Sequence, residues 1–202
     1  GYLGTHKPAD RVTRIAWASD VHWPHEDSRV WLAFLRWLAD TEIDELILGG
    51  DILDLESCSS HGGVARPALL LEEVDYANDR LDEVQEYHRG KITFLEGNHE
   101  ERLSRAIVAG VPTLHGAIDL PRLLRFDERG ITWRKYGDII KRGKLGFSHG
   151  WWCPKYAAQK HLEHCGAIVF GHTHRVRTAS KRDGLGEVKH AFGMPTMERD
   201  PG

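Results

Sequence analysis

An α/β fold is predicted, on three observations. Short apolar runs rich in Ile, Leu and Val recur along the 202 residues, separated by stretches of helical periodicity. Five of these runs lead into a Gly or Ser and then an Asp, Asn or His, at Asp20, Asp51, Asn98, His149 and His172. Where helices connect the strands of a sheet, ligands gather beyond the carboxyl ends of the strands. The five positions are therefore expected to converge. The length suits one domain, residues 1–202, with a substantial core. A first residue that is Gly1 rather than Met, and an end soon after an apparent strand, fit a chain trimmed at both ends.

In order, Val12–Ala18 reads as a buried strand leading to Ser19-Asp20-Val21-His22. Asp27 or Ser28 caps a helix with Val30, Trp31, Phe34, Leu35 and Leu38 on one side. Leu46–Leu48 is a short strand ending in Gly49-Gly50-Asp51. A polar loop, residues 57–63, precedes a long helix from Pro67 to about His88. Its stripe is Leu70, Val74, Ala77, Leu81 and Val84, with Glu72, Glu73, Asp79 and Glu83 on the wet face. Lys91–Leu95 is the third strand and leads into Gly97-Asn98-His99-Glu100, then a helix to about Val108. Residues 110–136 give little pattern beyond a short helix near Asp119–Leu124. Residues 138–141 and 145–147 form a hairpin around Arg142-Gly143, and its second strand ends at Ser148-His149-Gly150. A helix over 155–164, a strand at 167–170 ending in Gly171-His172-Thr173-His174, and two strands near 176–180 and 188–192 close the chain.

Composition narrows the function classes. A hydrophobic content of 41% and a charged content of 28% are ordinary for a globular protein. The net charge of −3 makes no overall electrostatic case for nucleic acid. Arg122–Lys144 carries eight Lys or Arg against three acids and reads as a solvated surface, with a phosphate-rich partner as the alternative. Cys58, Cys153 and Cys165 are odd in number and lack zinc-knuckle spacing, so a disulfide framework is not expected and a cytoplasmic setting is. No apolar stretch nears the roughly 20 residues that span a bilayer, so no membrane role is expected.

A single His after a strand is ordinarily a surface or hydrogen-bonded residue, and a single Asp there is ordinarily a cap or turn. No structural need explains the whole ordered set. Asn98 stands out, because a neutral carbonyl donor suits a metal whose other ligands already supply the charge. The set Asp20-Val21-His22, Gly50-Asp51, Gly97-Asn98-His99-Glu100, Ser148-His149-Gly150 and Gly171-His172-Thr173-His174 resembles the calcineurin-like metallophosphoesterases. The resemblance runs from about residue 14 to 174.

It implies two mixed β-sheets packed as a sandwich and flanked by helices. It also implies two divalent metal ions, manganese first, with iron, zinc or magnesium as alternatives. Asp20, His22 and His174 would bind one metal and Asn98, His149 and His172 the other, with Asp51 bridging them about 3.5–4 Å apart. A hydroxide shared by the pair would attack phosphorus. By the same resemblance His99 is the general acid or touches a phosphoryl oxygen, and Glu100 orients it. Asn98, His99, His61 and Arg102 are the candidate substrate contacts; for His61 a plain loop position is the alternative, and for Arg102 a surface one. Asp54 either supports the Asp51 loop or caps a helix. Trp151 and Trp152 form either a wall for substrate or part of the core.

The expected substrate is a phosphoester, nucleic acid included, and the expected reaction is that of a phosphodiesterase or nuclease-like enzyme. Ile52-Leu53-Asp54-Leu55 departs from the Val-Asp-Arg-Gly that follows Gly-Asp in the protein Ser/Thr phosphatases, and His99 is a residue that lipid-A precursor hydrolases lack. A phosphomonoesterase or protein phosphatase, or a non-catalytic interaction module on the same fold, are the alternatives.

Overall fold

The computed structural model describes residues 13–59, 69–182, 184 and 186–199. Strands β1 (Ile15–Ala18), β2 (Glu45–Leu48), β3 (Lys91–Leu95) and β4 (Thr132–Arg134) lie in that order in one sheet, parallel throughout. The second sheet is mixed, with order β5-β6-β7-β9-β8. Its members are β5 (Ile140–Arg142), β6 (Leu145–Ser148), β7 (Ile168–Phe170), β8 (Arg177–Arg182) and β9 (Val188–Gly193). Here β6, β7 and β9 run parallel, while β5 and β8 are antiparallel edges.

A parallel strand covered on both faces must be apolar at every position, and β2 is buried along its whole length. Leu46 and Leu48 face a core shared with helices α1 (Ser28–Asp40) and α2 (Leu70–Tyr87). Ile47 faces the other way and, with Leu95, meets Ile140 and Phe147 of the second sheet. Beyond that sheet, Ala157, Ala158 and Leu162 of α6 (Ala157–Cys165) pack on Ile168, Phe170 and Ala191. Four layers result, helix, sheet, sheet and helix, as the sandwich expectation requires.

Local detail follows the sequence with instructive exceptions. Asp27 caps α1 by accepting the Arg29 N–H at 2.9 Å. Trp31, Leu35 and Leu38 are buried, whereas Val30 is half-exposed. At helical spacing it shares a flank with Phe34 and Trp37, and Trp37 is itself exposed. On α2, Val74, Ala77, Leu81 and Val84 are buried as predicted. The expected start at Pro67, like His61, lies outside the described residues. Glu73 is a correction, because it is buried rather than wet. Its carboxylate accepts from the N–H groups of Glu56 (2.7 Å) and Ser57 (3.2 Å) and from the Ser57 hydroxyl, which anchors the 3-10 turn Glu56–Cys58. The difficult stretch contains the end of α3 (Glu101–Gly110), α4 (Leu120–Leu123), α5 (Phe126–Arg129) and β4. Among the described residues, no helix is long and apolar enough to cross a membrane.

Glu45 fastens the sheets together. It is 4% exposed at the start of β2 and accepts from Nε and Nη2 of Arg142 on β5, both at 2.6 Å, and from Thr93 Oγ1 at 2.7 Å. Lys91 Nζ stands 3.3 Å away. Burial works to push its carboxyl up, but Arg142, Thr93 and Lys91 outweigh that and lower it from 4.5 to about 2. A folded value below the unfolded one contributes stability above pH 4.5 that is lost as pH falls toward 2. Glu45→Gln is therefore expected to cost about 2 kcal/mol at pH 7 and to flatten the acid limb in that window. Urea unfolding across a pH series measures both; an unchanged acid limb would contradict the assignment.

Candidate metal centre

The strand ends named from the sequence meet at one edge of the sandwich. Asp20 follows β1, Asp51 follows β2 and Asn98 follows β3, while His149 follows β6 and His172 follows β7. Hydrogen bonds bolt the loops of the two sheets together. His149 Nδ1 lies 3.1 Å from the Gly49 carbonyl, and the His172 N–H donates to Asp20 Oδ1 at 2.8 Å. The Gly171 N–H donates to the His149 carbonyl at 2.9 Å. Glycines are needed at two close approaches: a Cβ on Gly97 would collide with Asp51 Oδ1, and one on Gly171 with Asp20 Oδ2.

Three groups of donor atoms result among the described residues: His22, Asp54 and His99 form one, and the other two share Asp51. Asp20, His22, Asp51 and His174 bring one atom each within 4.8 Å of one another, and so do Asp51, His149 and His172. Asn98 Oδ1 joins the last of these, 3.1 Å from His149 Nε2. All seven side chains expected to bind metal are thus brought together.

The donors suit a pair of cations. His22 Nε2 stands 3.1 Å from His174 Nε2, and Asp20 Oδ1 is 3.5 Å from His174 Nε2. His149 Nε2 is 3.2 Å from Asp51 Oδ2. Ligands about 2.1 Å from one ion stand about 3.0–3.4 Å apart at octahedral or tetrahedral angles. Asp20 Oδ2 is buried without a hydrogen-bond partner, a costly state for an anion that has no cation beside it. The backbone is strained at the same places. Among the described residues, seven non-glycine residues have a left-handed φ, and five of them are Asp20, His22, Asp51, His172 and His174.

Electrostatics follow from burial and proximity. Burial pushes the Asp20 carboxyl up from its ordinary range, opposed by His149. Burial would do the same to Asp51, but His149 and His99 hold it well below the usual carboxylate range. Burial disfavours charge on His149, yet Asp51, Asp20 and Glu100 raise it to about 9. His172 goes the other way, to about 4, through burial and the neighbouring charge of His149. Two buried acids and several imidazoles share one small volume, which is the charge pattern divalent cations relieve.

The supporting residues bring corrections. Glu100, expected to orient His99, is instead taken up by four backbone N–H groups. It accepts from Asp51 (2.9 Å), Ile52 (2.8 Å), Leu53 (2.9 Å) and Gly97 (2.7 Å). The His99 ring is held by Asp54, its Nδ1 2.9 Å from both Asp54 Oδ1 and the Asp54 carbonyl. Asp54 Oδ1 also meets His22 Nδ1 at 3.2 Å, which leaves His22 Nε2 facing the donor cluster. Arg102 is no ordinary surface residue: Nη2 is 2.8 Å from His99 Nε2 and Nη1 donates to the Asp54 carbonyl. Trp152 packs on the α6 core, and Trp151 stacks on the buried His161.

Sequence reading missed the segment after β9. Thr196 Oγ1 and the Met197 N–H both donate to the Asp20 carbonyl, at 2.7 and 3.0 Å, and so fix its left-handed turn. Glu198 approaches His174 Nδ1 at 3.7 Å. No motif flags these residues. For Asp54 a signal existed, its place three residues after Asp51. Asp54→Ala is expected to weaken manganese binding by about 10–100-fold, since it frees two rings at once. Titration calorimetry on metal-stripped protein reads this directly, and wild-type affinity in the variant would remove Asp54 from the account.

No curated protein sequence matches the chain. Among solved structures, a single-substitution mutant of Vps29 from Entamoeba histolytica is similar at 16% identity, over 90% of this chain and 73% of that one, with a TM-score of 0.46. The nuclease MPE of Pseudomonas putida is similar at 17% identity, over 93% and 74%, with a TM-score of 0.45. The profile of the calcineurin-like phosphoesterases matches residues 13–176, the span that contains every donor described above. The chain belongs to the calcineurin-like phosphoesterase family.

Proposed function

We propose that the protein is a metal-dependent phosphodiesterase working through two divalent cations, manganese by preference. Asp20, His22, Asp51 and His174 would hold one, and Asp51, Asn98, His149 and His172 the other. The observation that carries this reading is the membership of Asp51 in two donor groups at once. An all-nitrogen and oxygen donor set without thiolate suits manganese, iron or zinc. When bound, the cations supply charge that polarises a phosphoryl oxygen and acidifies a water.

The protein's own residues supply position and a proton. The Asp51 loop is held by the Glu100 carboxylate, so the shared ligand cannot swing away. The His99 N–H donates to Asp51 Oδ1 at 2.9 Å, and its ring Nε2 is 3.9 Å from Asp51 Oδ2, which puts the imidazole at the rim of the donor cluster. There His99 hands a proton to the leaving oxygen. A guanidinium can only donate, so Nε2 is an acceptor while Arg102 is bound to it. Arg102 must release that nitrogen, and Nε2 must then take up a proton from solvent, before the ring can act as an acid; the freed Nη2 is then in reach of a phosphoryl oxygen. The choice of diester over monoester is supported by access: the His174 side chain is 38% exposed at the mouth of the centre.

Hydrolysis of bis(p-nitrophenyl) phosphate and p-nitrophenyl phosphate with added manganese, then after chelation, tests the reading. The diester is expected to be cleaved faster, and chelation to abolish turnover. Loss of neither activity on chelation, or absence of both with every divalent metal, would overturn it. Asp51→Asn is expected to abolish turnover and lower metal content. His99→Ala should keep its metal and lose rate by about 10²–10⁴-fold; a metal-free His99→Ala would show that its role is misassigned.

A further inference from the structure

A cavity of about 260 Å³ opens between the start of α6 and the edge strand β8, walled by Lys155, Tyr156, Gln159, Val176, Arg177 and Thr178. Both walls are tied to the metal centre. Val176 is two residues beyond His174, at most ~7 Å of extended chain. On the other side, Cys153 Sγ meets the His172 carbonyl at 3.6 Å, two residues before Lys155. Arg177 Nη1 donates to the Lys155 carbonyl at 3.1 Å and joins the walls.

The chemistry of the cavity is cationic and apolar together. The run 175–182 contains Arg175, Arg177, Lys181 and Arg182 and no acid. Among the described residues, Lys155, Arg175, Arg177 and Lys181 form no ion pair. Beside them Tyr156 is 63% exposed and Val176 is 72% exposed, with Lys155 Nζ 5.8 Å from the centre of the Tyr156 ring. On a chain of net charge −3 this is a local concentration. Lysine and arginine on an edge strand also guard against stray pairing, which accounts for Arg182 at the far end of β8. It does not account for Lys155 and Arg177, which wall a cavity next to a candidate phosphoester site.

We propose that this cavity and β8 bind a single-stranded polynucleotide whose scissile phosphodiester lies at the metal centre. Backbone phosphates sit on Lys155, Arg177 and Lys181, and a base stacks on Tyr156. An acidic polypeptide would match the cations but does not carry a flat ring beside each charge, as every nucleotide does for Tyr156. The proposal rests on the phosphodiesterase reading and adds its substrate class.

The test compares wild type, Lys155→Glu with Lys181→Glu, and Tyr156→Ala. Binding of a fluorescein-labelled twelve-residue oligodeoxythymidine is followed by anisotropy on metal-stripped protein, where no cleavage occurs. Turnover of the oligonucleotide and of bis(p-nitrophenyl) phosphate is followed with manganese. The double variant is expected to bind the oligonucleotide at least tenfold more weakly, with a salt slope smaller by about 1.4. Its turnover of the small diester should stay within about twofold of wild type. Tyr156→Ala should lose binding by roughly tenfold. Wild-type oligonucleotide binding in both variants, or equal displacement by poly-glutamate, would overturn the proposal. Failure of wild type to cleave the small diester would instead sink the phosphodiesterase reading, with the anisotropy series still deciding the cavity.

Discussion

The site depends on one buried carboxylate satisfying four backbone donors. Glu100 is 1% exposed and accepts from the N–H groups of Asp51, Ile52, Leu53 and Gly97. Without it, the turn after β2 would leave buried N–H groups unpaired, each at about 1–3 kcal/mol. With it, that turn is clamped to the end of β3, and Asp51 keeps its left-handed φ of 50°. Burial and the charge of Asp51 push the Glu100 carboxyl up, against the pull of the N–H groups of Leu53 and Gly97. The clamp thus places one anion beneath another, in a region whose imidazoles only partly offset the charge.

Neither of the two donor groups that share Asp51 comes from one sheet alone, whereas His22, Asp54 and His99 all follow strands of the first. Asp20, His22 and Asp51 come from the first sheet and need His174 from beyond the second. His149 and His172 come from the second and need Asp51 from the first. The register between the layers is therefore part of the site. Ile47 and Leu95 against Ile140 and Phe147 set the spacing in the middle, and Glu45 with Arg142 pins the end where β2 begins. At the opposite end Thr196 and Met197 hold the Asp20 carbonyl. A change in inter-sheet packing would reach the donors without touching one of them.

The features legible in the sequence were those written in local order. An apolar run ending in Gly-Asp or Gly-Asn-His marks both a strand and the place where it exits, and Asp20, Asp51, Asn98, His149 and His172 all lie where that pattern puts them. Partnerships across the chain were not legible. Glu73 has the spacing of a solvated helix residue, yet the turn at Glu56–Cys58, 15 or more residues away in sequence, folds over it. Glu100 follows His99 in sequence, but its carboxylate turns to the Asp51 loop and leaves the ring to Asp54. The strand β4 is three residues, Thr-Trp-Arg, too short to show a period, and is defined by pairing with β3.

The central claim is that one carboxylate serves two cations. Crystals grown with manganese and measured for anomalous scattering at the manganese edge test it most directly. Two peaks about 3.5–4 Å apart, with an Asp51 oxygen between them, are the predicted result. A lone peak away from Asp51, or two peaks that share no protein ligand, would contradict the account.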